Sequence, residues 1–241
     1  MTAITSNLQA IHAAIEQAVG TVQRRAEDVQ LLAVSKAFSA SEIRAAYQAG
    51  QLAFGESYVQ EALDKFTELR DLPLQWHFIG PIQSNKSRAI AENFSWVHSV
   101  DRLKIAERLS AQRPLNLPPL NVCIQVNVSG EASKGGVAPN QLPVLARAVA
   151  RLPRLKLRGL MTIPALVSGS LSASDALEAQ RKPFARLREL SQQLNRSGMA
   201  LDTLSMGMSD DMVAAVMEGA TIVRIGTAIF GHRNSVEDRN S

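Results

Sequence analysis

The chain has a single cysteine, Cys123, among 241 residues, so it cannot form an internal disulfide. This cysteine lies in an apolar run, which favours a structural thiol in a reducing compartment over a reactive nucleophile. The sequence contains no run of 18 or more apolar residues, so we expect no membrane-spanning helix. The first residues lack the basic start of a signal peptide, and we therefore expect a cytoplasmic protein.

Other functional classes are excluded by what the sequence has little of. Aromatic residues make up 5%, and 26 Lys+Arg against 22 Asp+Glu give a net charge of only +4. The basic residues of 147–158 have no interleaved aromatics, which predicts a solvated face and no nucleic-acid surface. Four histidines show neither HExxH nor other ligand spacing, so we predict no metal site. We interpret His77 and His98, near strand ends, as core or supporting histidines.

Eight short apolar runs alternate along the chain with segments of helical periodicity. Most of these runs are apolar nearly throughout, which is typical of strands covered on both faces of a sheet. A helix between successive strands requires parallel pairing. The runs are LLAVSK (31–36), QLAFGES (51–57), LQWHFIG (74–80), FSWVHSV (94–100), LNVCIQVNVS (120–129), LKLRGLMTIP (155–164), TLSMGM (203–208) and TIVRIG (221–226).

This alternation predicts an α/β fold, a single (β/α)8 TIM barrel spanning residues 1–241 with a barrel core of about 31–231. An amphipathic helix precedes the first strand and would replace the helix missing after the last one. A doubly wound open sheet is the structural alternative. The polar stretch 165–175 is expected to be a surface loop.

Several local signals set expected helix ends. Ser39 with Glu42 predicts a capping box, and Gly50 is placed to end the same helix. Another helix is expected to begin near Ser209, with acidic residues in its first turn. Pro183 should start or kink a segment inside the sixth connecting helix.

Lys36 stands at the end of the first predicted strand, at the edge where barrel enzymes carry their chemistry. A desolvated ammonium is costly, and burial lowers its pKa toward the neutral amine that attacks carbonyl groups. The alternative interpretation is a lysine that simply leaves the strand for solvent.

The last two predicted strands end in small and hydroxyl residues: Ser205 and Gly207 on the seventh, Gly226 and Thr227 on the eighth. Loops after strands seven and eight of this fold often bind phosphate, because glycine exposes backbone N–H groups and hydroxyls add donors. Two ordinary tight turns would give the same sequence.

Arg224 lies two residues before Gly226 and therefore shares the inner face of the eighth predicted strand. A guanidinium there needs a partner, which would be a ligand or a carboxylate such as Glu56. A lysine, an anion-binding corner and an arginine together suggest a ligand with an aldehyde at one end and a phosphate at the other. Pyridoxal 5′-phosphate (PLP) has this layout.

The chain also resembles the pyridoxal-phosphate homeostasis protein family over nearly its full length. The matching stretches are AVSK (33–36), FGESYVQEA (54–62), WHFIGPIQSNK (76–86), VHSVD (97–101), QVNVSGEASKGG (125–136), GLMTIP (159–164), LSMGMSDDM (204–212) and VRIGTAIFG (223–231).

The resemblance implies a barrel like the N-terminal domain of alanine racemase and the cofactor PLP, with Lys36 as the Schiff-base lysine. It also implies further contacts with the cofactor. These are Ser205, Gly207, Gly226 and Thr227 at the phosphate, Arg224 at the pyridine nitrogen, and Ser57 and Met161 as additional candidates. The family usually has FGEN where this chain has FGES. Ser57 therefore stands in place of the asparagine, and it is open whether Ser57 makes the contact that the asparagine makes.

The function that the resemblance implies is PLP homeostasis: a carrier that holds PLP reversibly and supplies it to other proteins, with PLP-dependent apo-enzymes as candidate partners. We expect a monomer and assign no catalytic residue. A racemase needs a second acid–base group, which related racemases take from a separate domain, and the short stretch after AIFG predicts no such domain. Tyr58 is interpreted as a packing residue. A weak amino-acid racemase using Lys36 and an unrelated phosphate-ester enzyme remain the alternatives.

Overall fold

Eight parallel strands close into a barrel in the computed structural model, which describes residues 2–131, 134–165 and 172–231. Each of the eight predicted runs coincides with one strand, with β1 beginning one residue before its run at Gln30, so the predicted positions are confirmed. The strands are β1 (Gln30–Val34), β2 (Ala53–Glu56), β3 (Gln75–Phe78), β4 (Trp96–Val100), β5 (Leu120–Gln125), β6 (Leu155–Met161), β7 (Thr203–Ser205) and β8 (Ile222–Ile225).

Nine α-helices surround the barrel within these described ranges, and seven of them connect successive strands. Two short 3₁₀ turns, at 26–28 and 84–86, precede β1 and the fourth helix. The helices are α1 (Ala3–Gly20), α2 (Ala40–Gln48), α3 (Val59–Glu68), α4 (Ser87–Asn93), α5 (Leu103–Gln112), α6 (Leu142–Ala150), α7 (Ala173–Arg196), α8 (Met212–Met217) and α9 (Thr227–Phe230).

The sheet closes because β8 pairs with β1 as well as with β7. The β1–β8 register runs from Gln30 opposite Ile222 to Ala33 opposite Ile225. This pairing excludes the doubly wound open sheet, whose edge strands would be unpaired. It also places the end of the first strand beside the end of the last one.

The N-terminal helix covers the seam where the barrel closes. α1 packs against α2, α8 and α9, and Leu8, Ile11, Ile15 and Val19 on its apolar stripe are buried. It therefore occupies the place of a long helix after β8, as the periodicity of the first residues predicts.

The core has two parts. The larger one lies between the strands and the helices and includes Val223 and Ile225 of β8. A smaller cluster joins Leu32, Ala53 and Ile222 on the opposite strand faces. Because side chains alternate along a strand, Arg224 lies on the same inner face as Ile222. The barrel interior is thus apolar at the level of Ile222 and polar at the level of Arg224.

The predicted beginning of α2 is confirmed. The backbone N–H of Glu42 donates to Ser39 Oγ at 3.4 Å, and the Glu42 carboxylate accepts from the Ser39 N–H at 2.7 Å. Gly50 follows the helix with φ +98°, a conformation in which glycine carries no Cβ penalty. The capping box fixes α2 directly after the turn that contains Lys36.

Three local expectations differ from the structure. α8 begins at Met212 and not near Ser209, because the Asp211 carboxylate accepts from the N–H of Met208 and closes a turn first. α7 continues through Pro183 without a new start, and the residues that hold it against the barrel, Phe184, Leu187, Leu190 and Leu194, are buried on the C-terminal side of the proline. The expected loop 165–175 overlaps α7, which begins at Ala173, and 166–171 lie outside the described residues.

Candidate functional site

Lys36 lies in a tight turn that follows β1 at the carboxyl edge of the barrel. The N–H of Phe38 donates to the carbonyl of Ser35 at 3.1 Å, and Ala37 has φ +65°. A residue other than glycine rarely adopts positive φ, so this turn is conformationally strained. The Lys36 side chain is half-buried. The structure thus places Lys36, partly exposed, at the carboxyl edge of the barrel.

A buried ion cluster under this turn was not predicted from the sequence. Lys65 Nζ of α3 donates to Glu56 Oε1 at 2.8 Å, to Glu61 Oε1 at 2.6 Å and to the carbonyl of Ser35 at 2.7 Å. Burial raises the pKa of the Glu56 carboxyl, and the Lys65 ammonium opposes that shift. The spacing of Glu61 and Lys65 by four residues is the one sequence signal, and it usually marks an exposed helix pair.

The ends of β7 and β8 depend on glycine. Gly207 has φ +95°, and a Cβ on it would lie 2.5 Å from the Cβ of Ala215. A Cβ on Gly226 would meet the carbonyl of Val34 at 3.1 Å, so the end of β8 packs closely on the end of β1. Thr227 is exposed at the first position of α9, where N–H groups have no partner within the helix.

Arg224 is buried inside the barrel and donates hydrogen bonds to residues at the ends of β6 and β7. Its NH1 donates to Ser205 Oγ at 2.8 Å, and its NH2 donates to the carbonyl of Thr162 at 2.9 Å. Burial lowers the pKa of the guanidinium to about 10, with Asp211 partly opposing it, so Arg224 stays charged near neutral pH. The Ser205 hydroxyl therefore holds the arginine, and its contact with phosphate stays a prediction.

His77 and His98 extend this polar chain across the barrel, as their interpretation as core histidines anticipated. His98 Nδ1 lies 2.7 Å from Ser205 Oγ, and His98 Nε2 lies 2.9 Å from His77 Nδ1. Burial lowers the pKa of His77 to about 3, and it lowers the pKa of His98 well below its ordinary value. Both rings are therefore neutral at pH 7. The Trp96 ring stacks on His77, 5.4 Å between centroids.

Strand order brings the other predicted residues to one sector of the carboxyl edge. Met161 ends β6 and is paired with Ser205 at the end of β7. Gly226 and Thr227 follow β8, Lys36 follows β1, and the half-buried Ser57 follows β2. These five strands are consecutive in the closed barrel. The contacts of each residue with a ligand remain predictions.

Two interpretations of side chains near this edge are wrong. Glu56 is not the partner of Arg224, because β2 turns its carboxylate toward Lys65 and toward the Ser35 hydroxyl at 2.6 Å. Tyr58 does not pack in the core: it is 60% exposed where the chain enters α3. By contrast Cys123 is fully buried, and burial raises the pKa of its thiol to about 12, as expected of a structural cysteine.

The described part of the chain contains no group of three or more His, Cys, Asp or Glu side chains that could hold a metal ion. In the same ranges, no helix is both long enough and apolar enough to cross a membrane. His232 lies outside the described residues.

A cavity of about 340 Å³ opens between α7 and the segments that follow β5 and β6. It is lined by Val128, Ser129, Pro164, Ala165, Ala179, Lys182, Pro183 and Arg186.

The fold and this edge define a barrel of the alanine racemase type. The family described as "Alanine racemase, N-terminal domain" matches residues 7–234. Alanine racemase from Corynebacterium glutamicum shares the fold at a TM-score of 0.66, with 18% identity over 95% of this chain and 61% of that one.

More similar proteins identify the family. A pyridoxal phosphate homeostasis protein of Pseudomonas aeruginosa is 60% identical over 97% of both chains, and one of Escherichia coli K12 is 51% identical over 97% of this chain and 98% of its own. The structure of PipY from Synechococcus elongatus with PLP bound has a TM-score of 0.76 and 38% identity, over 90% of this chain and all of that one. The chain belongs to the pyridoxal phosphate homeostasis protein family.

Proposed function

We propose that this chain binds PLP at the carboxyl edge of the barrel, holds it reversibly through Lys36 and supplies it to other proteins. The observation that carries the proposal is the closure of β8 on β1, in a member of this family, which sets Lys36 beside the Gly226–Thr227 corner. PLP supplies an aldehyde that condenses with a primary amine, forming a C=N bond and releasing water, and water reverses the reaction.

Lys36 supplies the amine. It is half-buried directly after β1, at the carboxyl edge of the barrel. The turn around it is anchored by hydrogen bonds on both sides, so the amine is presented from a fixed backbone. A reversible covalent bond at a fixed amine suits loading and release.

Gly226 and Thr227 form the corner that fits an anion. A side chain on Gly226 would crowd the Val34 carbonyl, so the absence of a Cβ keeps this approach open. The first N–H groups of α9 have no partner within the helix, and the exposed Thr227 hydroxyl is a further donor at the same end. Gly207, two residues after β7, supports the same corner through its positive φ. Together these groups would hold the phosphate.

Arg224 would face the pyridine nitrogen. It remains charged because the pKa of its guanidinium falls only to about 10, and Ser205 and Thr162 fix its orientation. A fixed positive charge disfavours protonation of a neighbouring nitrogen, because like charges repel. A neutral ring withdraws electrons poorly, so this arrangement supports a carrier more than an enzyme of amino-acid chemistry. Met161 and Ser57 would line the flanks of the same site.

The proposal extends to partners and surroundings. We propose PLP-dependent apo-enzymes as the recipients and a monomer as the form that acts. A single buried thiol is typical of a reducing compartment, which supports a cytoplasmic location.

Mass spectrometry after borohydride reduction tests the lysine. The protein loaded with PLP should carry one stable adduct on Lys36, and Lys36→Ala should lose both the adduct and the colour while keeping its circular dichroism spectrum. The exposed Lys86 provides the matched control, since Lys86→Ala should label like the wild type. An adduct on another side chain of the wild-type protein would refute the assignment.

Isotope exchange separates the carrier from the racemase. The loaded protein is incubated with L- and D-alanine in deuterated water, and deuterium at the α-carbon is followed by NMR. We expect exchange far below ordinary enzymatic turnover. Rapid exchange that disappears in Lys36→Ala would favour the racemase.

A further inference from the structure

We propose that Glu61 and Lys65 are positioning residues that hold the Lys36 turn in the conformation from which its amine reaches the PLP aldehyde. The inference rests on the proposed function, because it assigns these residues a role toward Lys36. It goes beyond that function in naming a buried charge cluster as the device that sets the reactivity of the lysine.

The first observation is that the cluster binds the backbone immediately before and after Lys36. Lys65 Nζ donates to the carbonyl of Ser35 at 2.7 Å, and Glu61 Oε1 accepts from the N–H of Ala37 at 2.5 Å. Lys65 and Glu61 are themselves joined at 2.6 Å. One ion pair on α3 thus bridges the two peptide groups that flank the lysine.

The second observation is the strain of the turn itself. Ala37 has φ +65° at the third position of the four-residue turn Ser35–Phe38, where turns of this shape favour glycine. An alanine in this conformation relaxes unless its surroundings hold it. The hydrogen bond from the Ala37 N–H to Glu61 opposes this relaxation from the side of α3, in addition to the Phe38–Ser35 hydrogen bond that closes the turn.

The third observation is that Lys65 is buried although it lies on a helix that has an exposed face. Its side chain is 6% exposed, and it contacts two carboxylates and one carbonyl. Removing an ammonium from water costs free energy, and buried ion pairs add little net stability compared with apolar residues. A cluster of this kind is therefore better explained by the orientation it imposes, here on the Lys36 turn, than by the stability it adds.

The test separates the covalent step from binding. Pyridoxine 5′-phosphate carries a hydroxymethyl group in place of the aldehyde, so it occupies the same site without bonding to Lys36. For Glu61→Ala we expect an affinity for PLP about tenfold lower and a slower approach to the bound state, as for the loss of one charge-assisted hydrogen bond. The affinity for pyridoxine 5′-phosphate should not change.

The variants are chosen so that folding does not decide the outcome. Glu61 is 29% exposed, so its removal leaves no cavity in the core. Glu61→Gln keeps an oxygen acceptor for Ala37 and should lose less affinity for PLP than Glu61→Ala. Glu92→Ala removes the equivalent i,i+4 partner of Arg88 on α4 and should bind both compounds like the wild type.

Two results would overturn the inference while leaving the proposed function in place. One is wild-type PLP affinity and rate in Glu61→Ala, and the other is an equal loss for both compounds, which would indicate general damage to the site. The proposed function has its own readout, since wild-type protein that shows no borohydride-stable adduct on Lys36 would overturn it directly.

Discussion

At the scale of single residues, we expect Thr227 to contribute to the retention of PLP. Its hydroxyl is exposed at the start of α9, so Thr227→Val changes a donor without changing the core. We expect PLP to be held less tightly by about 1–3 kcal/mol, the range for one lost charge-assisted hydrogen bond. Equilibrium dialysis measures this, with the exposed Thr67→Val as control. Unchanged retention would contradict the phosphate corner.

His77 sets an expectation for pH. The pKa of its ring is about 3 in the folded protein against an ordinary 6.5, so between these values the unfolded chain binds the additional proton. The free energy of unfolding therefore falls as pH decreases through this window, by about 2 kcal/mol for His77 from pH 7 to pH 5. Urea titrations should show a smaller loss in His77→Gln by about that amount. The same pH dependence in this variant and the wild type would refute the assignment.

The residues of the site differ in how far the sequence could predict them. Lys36 and Arg224 could be predicted as site residues from the sequence. Each is a cation in or directly after an apolar strand, and a charged side chain is unusual at such a position in a barrel. The bonds of Arg224 to Ser205 and Thr162 could not be predicted, since they join three strands whose register only the closed barrel defines. Lys65 was missed because its polar partners lie on β2 and in the turn after β1, and a helix pattern alone predicts exposure.

At the scale of elements, the beginning of α2 supports the position of the Lys36 turn. Removing the cap by Ser39→Ala should reduce the free energy of unfolding by about 1 kcal/mol, because the first turn of the helix loses its acceptor. Urea denaturation measures the change. Ser39→Asp retains an acceptor and should stay close to the wild type, whereas equal losses in both variants would argue against the cap.

The strands could be predicted well because each is a short apolar run between polar segments. A run of this length that is apolar on both faces is typical of a strand covered on both sides. Helix ends were predicted less well. α8 begins late because a side chain–backbone bond between Asp211 and Met208 competes with the helix for the same residues. α7 tolerates Pro183 because its packing against the barrel outweighs one lost backbone hydrogen bond.

At the scale of the whole molecule, close approach between β6 and β7 limits what the barrel accepts. A Cβ on Gly159 would lie 1.7 Å from the carbonyl oxygen of Thr203, a clash with backbone that neither strand can avoid. Gly159→Ala should therefore destabilise the fold by about 3 kcal/mol or more, measured by urea denaturation. Gly20→Ala, with no atom within 4 Å, is the matched control and should be neutral. A stable Gly159→Ala would contradict the register of β6 and β7.

The pairing of β1 with β8 also has a consequence for synthesis on the ribosome. Lys36 is translated directly after β1, whereas Arg224 and the Gly226–Thr227 corner are translated only after β7. With the proposed site, a growing chain could not capture the vitamin B6 aldehyde in its final geometry until the eighth strand has docked. Occupancy of the carrier would then report that the barrel is finished, and vitamer supply would favour completed molecules over partial ones.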